Sequence, residues 1–434
     1  MKPIYQFLVT FCALFVSIDS AIPMYSRING KIHCNQKYKG KVHNNKENNL
    51  VVPFGEKGIS SYRDDADLSV PDLITKNGYP VEIHHVVTKD GYILELHRIP
   101  HGRSGDPGGK KPVVFLQHGF LASSADWIMN TPEKSLAYQL ADKNYDVFLG
   151  NARGNTYSRN HTTLSPKDVR FWNFSYHEMA IYDVPAVIDH ILTTTGEQKL
   201  FYIGHSMGTV MFWVTMSHFP EYNAKIRLMS ALAPVAYVTH IKSPIRLLAP
   251  FATEAELVLK FFGDHEFLPH RGFINIFRKI VCQREPVGEA ICENVVFLIA
   301  GFDKAELNET MLPVILGHTP AGASTHTLIH FAQGINSAQF RPFDYGKEEN
   351  LKRYGQEEPP PYELAKVSAP IALFWADNDW LAAKIDVAAL ASQLQNVVLN
   401  YQVPFKKFTH LDFIFAIDSD KYVYNNVLET MEKY

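Results

Sequence analysis

The sequence of 434 residues lacks several features that would each point to a class of function. It has no H-E-x-x-H, no C-x-x-C and no glycine-rich dinucleotide fingerprint, so no metal and no organic cofactor is expected. Its formal charge is only −3, which gives no reason to expect a nucleic-acid partner. No apolar run reaches the roughly 20 residues needed to span a bilayer, so no transmembrane segment is expected. The run from Phe7 to Ile18 comes nearest. It follows Lys2 and is succeeded by the small residues Ser20 and Ala21, which reads as a secretory signal peptide over residues 1–20, with a membrane anchor as the alternative. There is no internal repeat.

Cysteine is also scarce, with four in the chain. Cys12 would leave with the signal, and Cys34 stands alone. Cys282 and Cys292 lie ten residues apart and, in an oxidising compartment, are expected to close a short loop as a disulfide; two free buried thiols are the alternative. N-x-S/T sequons at Asn160, Asn173 and Asn308 agree with secretion. Asn173 lies among aromatics in FWNFSY, a setting that suggests burial. Residues 27–57 carry seven lysines and arginines against two glutamates and show no hydrophobic periodicity. Residues 21–66 therefore read as a disordered basic extension or propeptide, with a surface-binding tail as the sharper alternative.

From Tyr79 onward the pattern is that of a folded domain. VEIHHVVTKDGYILELHRIP reads as a β-hairpin around Asp90 and Gly91. Short apolar segments follow at 112–118, 145–151, 199–205, 228–236, 370–377 and 397–404. Helical stretches at 133–143, 177–195 and 386–395 separate several of them. Strands alternating with helices imply an α/β fold with a mostly parallel sheet covered on both faces. The interval between Ala236 and Pro370 breaks the alternation and is rich in Phe and Leu, so it reads as an inserted helical cap. The expected organisation is a core over 67–236, a cap over 237–365 and the remaining core over 366–434.

The chemistry resides in LFYIGHSMGTVMFW, residues 200–213. G-x-S-x-G alone arises by chance in roughly one chain in ten of this length, so its context decides. Here an apolar β-prone segment runs into a stretch without Gly or Pro after the motif. That is the strand, tight turn and helix of a nucleophile elbow, which would project the hydroxyl of Ser206 above the sheet. A nucleophilic serine needs a base and an orienting acid, and these must come from later strands at the same edge. His410 lies just after the last expected strand, in FKKFTHLDF. Asp379 lies just after the preceding one, in FWADNDWLA; Asp377 competes with it, and Asp379 is preferred. Asp412 reads as a support for the loop. His84, His85 and His118 read as surface or packing residues. Donors for an oxyanion are expected from the backbone N–H groups of Met207, which follows the serine, and of Phe120, which follows the turn His118-Gly119.

Several longer segments carry a resemblance. TKDGYILELHRIPHG (88–102), FLQHGFLASSADWI (115–128), YDVFLGNARGNTYSR (145–159), the elbow, GFDKAELN (301–308), HTPAGAS (318–324) and THLDF (409–413) resemble the acid lipase family, over roughly residue 68 to the C-terminus. The resemblance implies an α/β-hydrolase fold with a cap, part of it a mobile lid. It also implies Ser206, Asp379 and His410 as a catalytic triad, Phe120 and Met207 as oxyanion donors, and activity at acid pH. Family members commonly have Gln where Met207 stands, which spares the backbone donor. The loop between Cys282 and Cys292 is similar to the family's disulfide loop but one residue longer, and residues 27–57 have no counterpart.

The expected function is that of a secreted or lysosomal serine lipase, hydrolysing triacylglycerols, steryl esters or both at an emulsion, lipoprotein or membrane surface, with no protein partner implied. A carboxylesterase acting on soluble esters is the runner-up. A lipid carrier or yolk-type protein on the same scaffold is the alternative from another class, since fold does not fix function.

Overall fold

The computed structural model describes residues 65–251, 265–267, 300, 301 and 303–434, with the backbone of residues 27, 28, 31 and 32 besides. The expected signal peptide, most of the basic extension, all four cysteines and most of the Phe-rich stretch 250–302 lie outside the described residues. The chain divides into two units, Met1–Gly58 and Ile59–Tyr434. In the first, Arg27–Ile28 pairs antiparallel with Lys31–Ile32.

The second unit is an α/β domain built on a nine-stranded mixed sheet. Its principal strands are β1 (Glu82–Val87), β2 (Tyr92–Ile99), β3 (Val113–Gln117), β4 (Asp146–Leu149), β5 (Leu200–His205), β6 (Ile226–Leu232), β7 (Ile371–Trp375) and β8 (Val397–Gln402). They lie side by side in the order β8-β7-β6-β5-β3-β4-β2-β1, and the ninth, Asn160–His161, pairs with β2. From β4 to β8 all neighbours are parallel; β1 and β2 are antiparallel additions at one edge. The hairpin turns where TKDG directs it, with Thr88 N–H bonded to the Tyr92 carbonyl at 2.8 Å.

The residue patterns explain the layering. Every residue of β3, β4 and β5 is buried, which requires cover on both sheet faces and accounts for unbroken apolar runs in place of alternation. The helix after β5, Met207–His218, buries every residue except His218. A helix that is apolar all round belongs inside a large domain. The stretch 177–195 is helical but not uniform: Ser175 and Glu178 form a capping box, a π turn spans Met179–Asp183, and a regular helix runs over Val184–Thr195 until Gly196 ends it at φ 70°. Pro185 lies inside this continuous helical run, directly after the π turn, where it can donate no N–H to the preceding turn; there the Ala180 carbonyl accepts from Thr215 Oγ1 at 2.7 Å. Between β6 and β7 the described residues include helices at Leu312–His318, Thr325–Ser337 and Lys347–Tyr354.

One core group sets a pH dependence. Asp126 sits in the short turn Ser124–Trp127; its Oδ1 has no hydrogen-bond partner among the described residues, and burial pushes the carboxyl up to about 8. An unfolded aspartate titrates near 3.9. Below that value both states hold the proton. Between there and pH 8 the unfolded chain releases a proton that the folded chain keeps, so this group's contribution to stability falls as pH rises. Asp126→Asn is neutral throughout and is expected to remove the effect. Its Tm should match the wild type near pH 4 and exceed it by several degrees at pH 7 to 8, corresponding to a few kcal/mol, on the order expected for a shift of this size. Thermal unfolding across that range checks it, and parallel curves for the two proteins would contradict it.

Candidate active site

The parallel register brings the C-terminal ends of four strands to one edge: Gln117 lies opposite Gly204, His205 opposite Leu232, and Leu232 opposite Phe374. Ser206 follows β5 directly and has φ 51° and ψ −116°, a conformation few L-residues adopt. Its N–H is bonded to the Leu232 carbonyl at 3.1 Å, which pins the turn to β6. The motif glycines are required by space. A Cβ at position 204 would lie 2.9 Å from the Gly208 carbonyl carbon and oxygen, and one at 208 would lie 2.2 Å from the Gln117 carbonyl oxygen. Any larger residue at 208 would push the helix away from β3 and move the serine with it.

Above this edge the structure brings Ser206, His410 and Asp379 together. His410 Nε2 is 2.8 Å from Ser206 Oγ, and His410 Nδ1 is 2.8 and 3.0 Å from the two Asp379 carboxyl oxygens. Asp379 is 1% exposed, and its Oδ1 also accepts the N–H groups of Leu381 and Ala382 at 2.8 and 2.7 Å. A carboxylate can only accept, so the imidazole proton lies on Nδ1 and the Nε2 lone pair faces the serine hydroxyl. Asp377 is directed elsewhere: it accepts from Gln402 at 2.7 Å and pairs with Lys384 at 3.5 Å. Asp412 accepts the Thr409 N–H at 2.5 Å from within the histidine loop, and burial pushes its carboxyl up to about 7.

Residues 118–121, expected to supply an oxyanion donor, lie against the elbow. Gly119 abuts the elbow closely enough that a Cβ there would lie 3.2 Å from Ser206 Cβ. Met207 is the first residue of the helix after the serine, where an N–H has no intrahelical acceptor. For the Phe120 N–H no acceptor is placed among the described residues. The Phe120 ring packs between Phe267, stacked at 6.3 Å, and Phe331, edge-on at 5.8 Å.

Two histidines do more at the site than the sequence reading assigned. His118 is 1% exposed; its Nδ1–H donates to the Gly119 carbonyl at 2.8 Å while Nε2 accepts the Ala152 N–H at 3.0 Å. Burial pushes its pKa down to about 4, so it stays a neutral brace between the 118–121 turn and the NARGN loop. His205, inside the motif itself, donates from Nε2 to the His410 carbonyl. Their positions beside HG and GHS were the available signal. By contrast, His84 is half-buried and His85 exposed, both on β1 at the far edge of the sheet.

The sequons are displayed unevenly. Asn160 is exposed and Asn308 half-buried. The expectation that Asn173 is buried is wrong: Phe171, Trp172 and Phe174 are buried and Asn173 is exposed, because a 3-10 turn over Val169–Trp172 directs its neighbours inward and leaves it outside. The pair Cys282 and Cys292 lies outside the described residues. Among those residues no three His, Cys, Asp or Glu side chains converge as a metal site, and no helix is long and apolar enough to cross a membrane.

Comparison with known proteins places this geometry in a family. Residues 70–131 match a partial alpha/beta-hydrolase lipase region, and residues 112–262 match the alpha/beta hydrolase fold. The chain is 44% identical to Lipase 3 of Drosophila melanogaster over 84% of this chain and 92% of that protein. It is 42% identical to the gastric triacylglycerol lipase of Rattus norvegicus, over 87% and 94%. It is 41% identical to the lysosomal acid lipase/cholesteryl ester hydrolase of Homo sapiens, over 85% and 92%. With an elbow serine, a histidine and a buried carboxylate in hydrogen-bonded sequence and this similarity along most of its length, the chain belongs to the acid lipase family of α/β hydrolases.

Proposed function

We propose that this protein is a serine lipase of the secretory pathway that hydrolyses ester bonds of neutral lipids through an acyl-enzyme, with Ser206 as nucleophile, His410 as general base and acid, and Asp379 as its orienting partner. The observation that carries the reading is the pair of 2.8 Å hydrogen bonds linking Ser206 Oγ, His410 and Asp379. His410 Nε2 takes the hydroxyl proton as Ser206 Oγ attacks the ester carbonyl, and the N–H groups of Phe120 and Met207 receive the oxyanion, each donor contributing about 3–4 kcal/mol. The imidazolium then protonates the departing alcohol. A water molecule, deprotonated by the same nitrogen, attacks the acyl-enzyme; the bond from the acyl carbon to Ser206 Oγ breaks, His410 returns the proton to Oγ, and the fatty acid leaves.

The substrate class is supported by the relatives, whose names cover triacylglycerols and cholesteryl esters, and by the aromatic wall of Phe120, Phe267 and Phe331 beside the oxyanion donors. We assign residues 237–365 to a cap over the site. Support for this comes from its contacts with the core: the Ala321 N–H is bonded to the Leu121 carbonyl at 2.7 Å, Arg159 Nη2 donates to Glu266 Oε2 at 2.9 Å, and the Phe267 ring stacks on that of Phe120. Water-insoluble esters would be met at a lipid surface, where a shielded apolar site becomes useful. Secretory targeting is supported by the leader-like run Phe7–Ile18 and the exposed sequons Asn160 and Asn173.

The test is hydrolysis of emulsified triolein, emulsified cholesteryl oleate and soluble p-nitrophenyl butyrate between pH 4 and 8. Rates on the emulsions are expected to exceed the rate on the soluble ester by about tenfold or more at equal ester concentration, and the ranking of the two emulsions identifies the preferred class. Hydrolysis confined to the soluble ester would make this a carboxylesterase. No hydrolysis by folded protein would favour a carrier.

A further inference from the structure

We propose that His205, the residue before the nucleophile, is a positioning residue that sets the distance between the general base and the serine by holding the main chain of His410. The proposal rests on the catalytic reading above.

His205 is 3% exposed, and its Nε2 lies 3.0 Å from the His410 carbonyl oxygen. A carbonyl can only accept, so the His205 proton is on Nε2. Its Nδ1 is buried and has no hydrogen-bond partner among the described residues, a cost normally avoided in an interior. A ring chosen for packing alone would be apolar and would not carry that cost. The two imidazoles lie 4.9 Å apart, inclined at 45°. On the other side of the same residue, the His410 N–H is bonded to the Ala300 carbonyl at 3.4 Å, and that carbonyl also takes the Trp380 N–H, one residue beyond Asp379. The base is therefore held at both ends of its backbone. The tie from His205 is the shorter, and it comes from the residue covalently joined to Ser206. It references the base to the nucleophile through a bond outside the relay. Burial, with the neighbouring His410 adding to it, pushes the His205 pKa down to about 3, so the donor stays neutral and correctly protonated through the acid range. Displacements of about 1 Å between reacting groups can cost on the order of a hundredfold in rate.

The experiment compares wild type, Ser206→Ala, His205→Leu and His205→Gln on one emulsified ester, with Tm recorded for each. Leucine fills much of the volume without a donor; glutamine can place an N–H near the position of Nε2. The expected result is a kcat reduced roughly 10- to 100-fold in His205→Leu with KM changed less than about twofold, and recovery in His205→Gln to within about fivefold of wild type at a similar Tm. Wild-type kcat in His205→Leu overturns the proposal. So does equal loss in both variants, which would indicate a packing role. If Ser206→Ala retains wild-type activity, the catalytic reading fails, and the positioning role fails with it; that outcome is distinguishable because it appears in the serine variant.

Discussion

Ser206→Ala is expected to lower kcat on an emulsified ester by about 10⁴- to 10⁶-fold while leaving Tm within roughly 2 °C of wild type. The size follows from what the hydroxyl supplies. Without Oγ no acyl-enzyme can form, and His410 at 2.8 Å has no proton to take. The proposed Phe120 and Met207 donors are untouched by the substitution, so a residual rate of about 10³ to 10⁴ over water is expected to remain. The small effect on stability has a structural reason. The turn at φ 51° is held by the Ser206 N–H bond to Leu232 and by the clearances at Gly204 and Gly208, none of which involves the hydroxyl. Alanine keeps the Cβ and the same backbone. Rates by titration of released fatty acid and Tm by calorimetry check both halves. A variant retaining more than about 1% of wild-type kcat would place the nucleophile elsewhere.

The residues that form the relay were legible in the sequence because each carries a positional signature. Ser206 stands between glycines at a strand-to-helix switch, and Asp379 and His410 each follow an apolar run that becomes a strand. The strands themselves were legible for the same reason: a parallel strand buried on both faces is a short apolar run, and LFYIGH is buried throughout. Boundaries were harder. The run LMSALAPVA begins two residues inside its strand, Ile226–Leu232, and ends past it, because Ala233 turns the chain at φ 48°. Asn173 was misread because neighbouring aromatics were taken to share its environment, whereas three residues per turn separate them. The positions of His118 and His205 in the network were not legible. What matters for them is which nitrogen meets which carbonyl, and that depends on the packing of loops more than 30 residues apart in sequence.

Arg153→Met is expected to destabilise the domain by about 3–5 kcal/mol, the loss that follows when one partner of a buried ion cluster is removed. The guanidinium is 1% exposed and bonds both Asp183 and Asp90 through forked contacts of 2.5 to 2.9 Å, with the Tyr92 ring 3.9 Å away. The two carboxyls respond differently to the same cation. Burial pushes Asp183 up to about 6, and Arg153 reverses only part of that. Burial also raises Asp90, but there the Arg153 hydrogen bonds and charge outweigh it and hold the group below the usual carboxylate range. The difference follows from exposure, since the Asp90 side chain is 26% exposed and that of Asp183 is 3%. Without the guanidinium both carboxyls move upward, and a raised carboxyl loses stability as pH rises through the interval between its unfolded and folded values. The deficit of the variant should therefore be smaller near pH 4, where the carboxyls are neutral, than at pH 7. Lysine is not expected to rescue it, because a point charge cannot serve two carboxylates in the fork geometry. The consequence reaches the site, since Ala152, the neighbour of Arg153, bonds His118 and so braces the turn that carries Phe120. Chemical denaturation of wild type, Arg153→Met and Arg153→Lys at pH 4 and 7 measures this, and a deficit that does not change with pH would mean that the carboxyls are not buried without their partner.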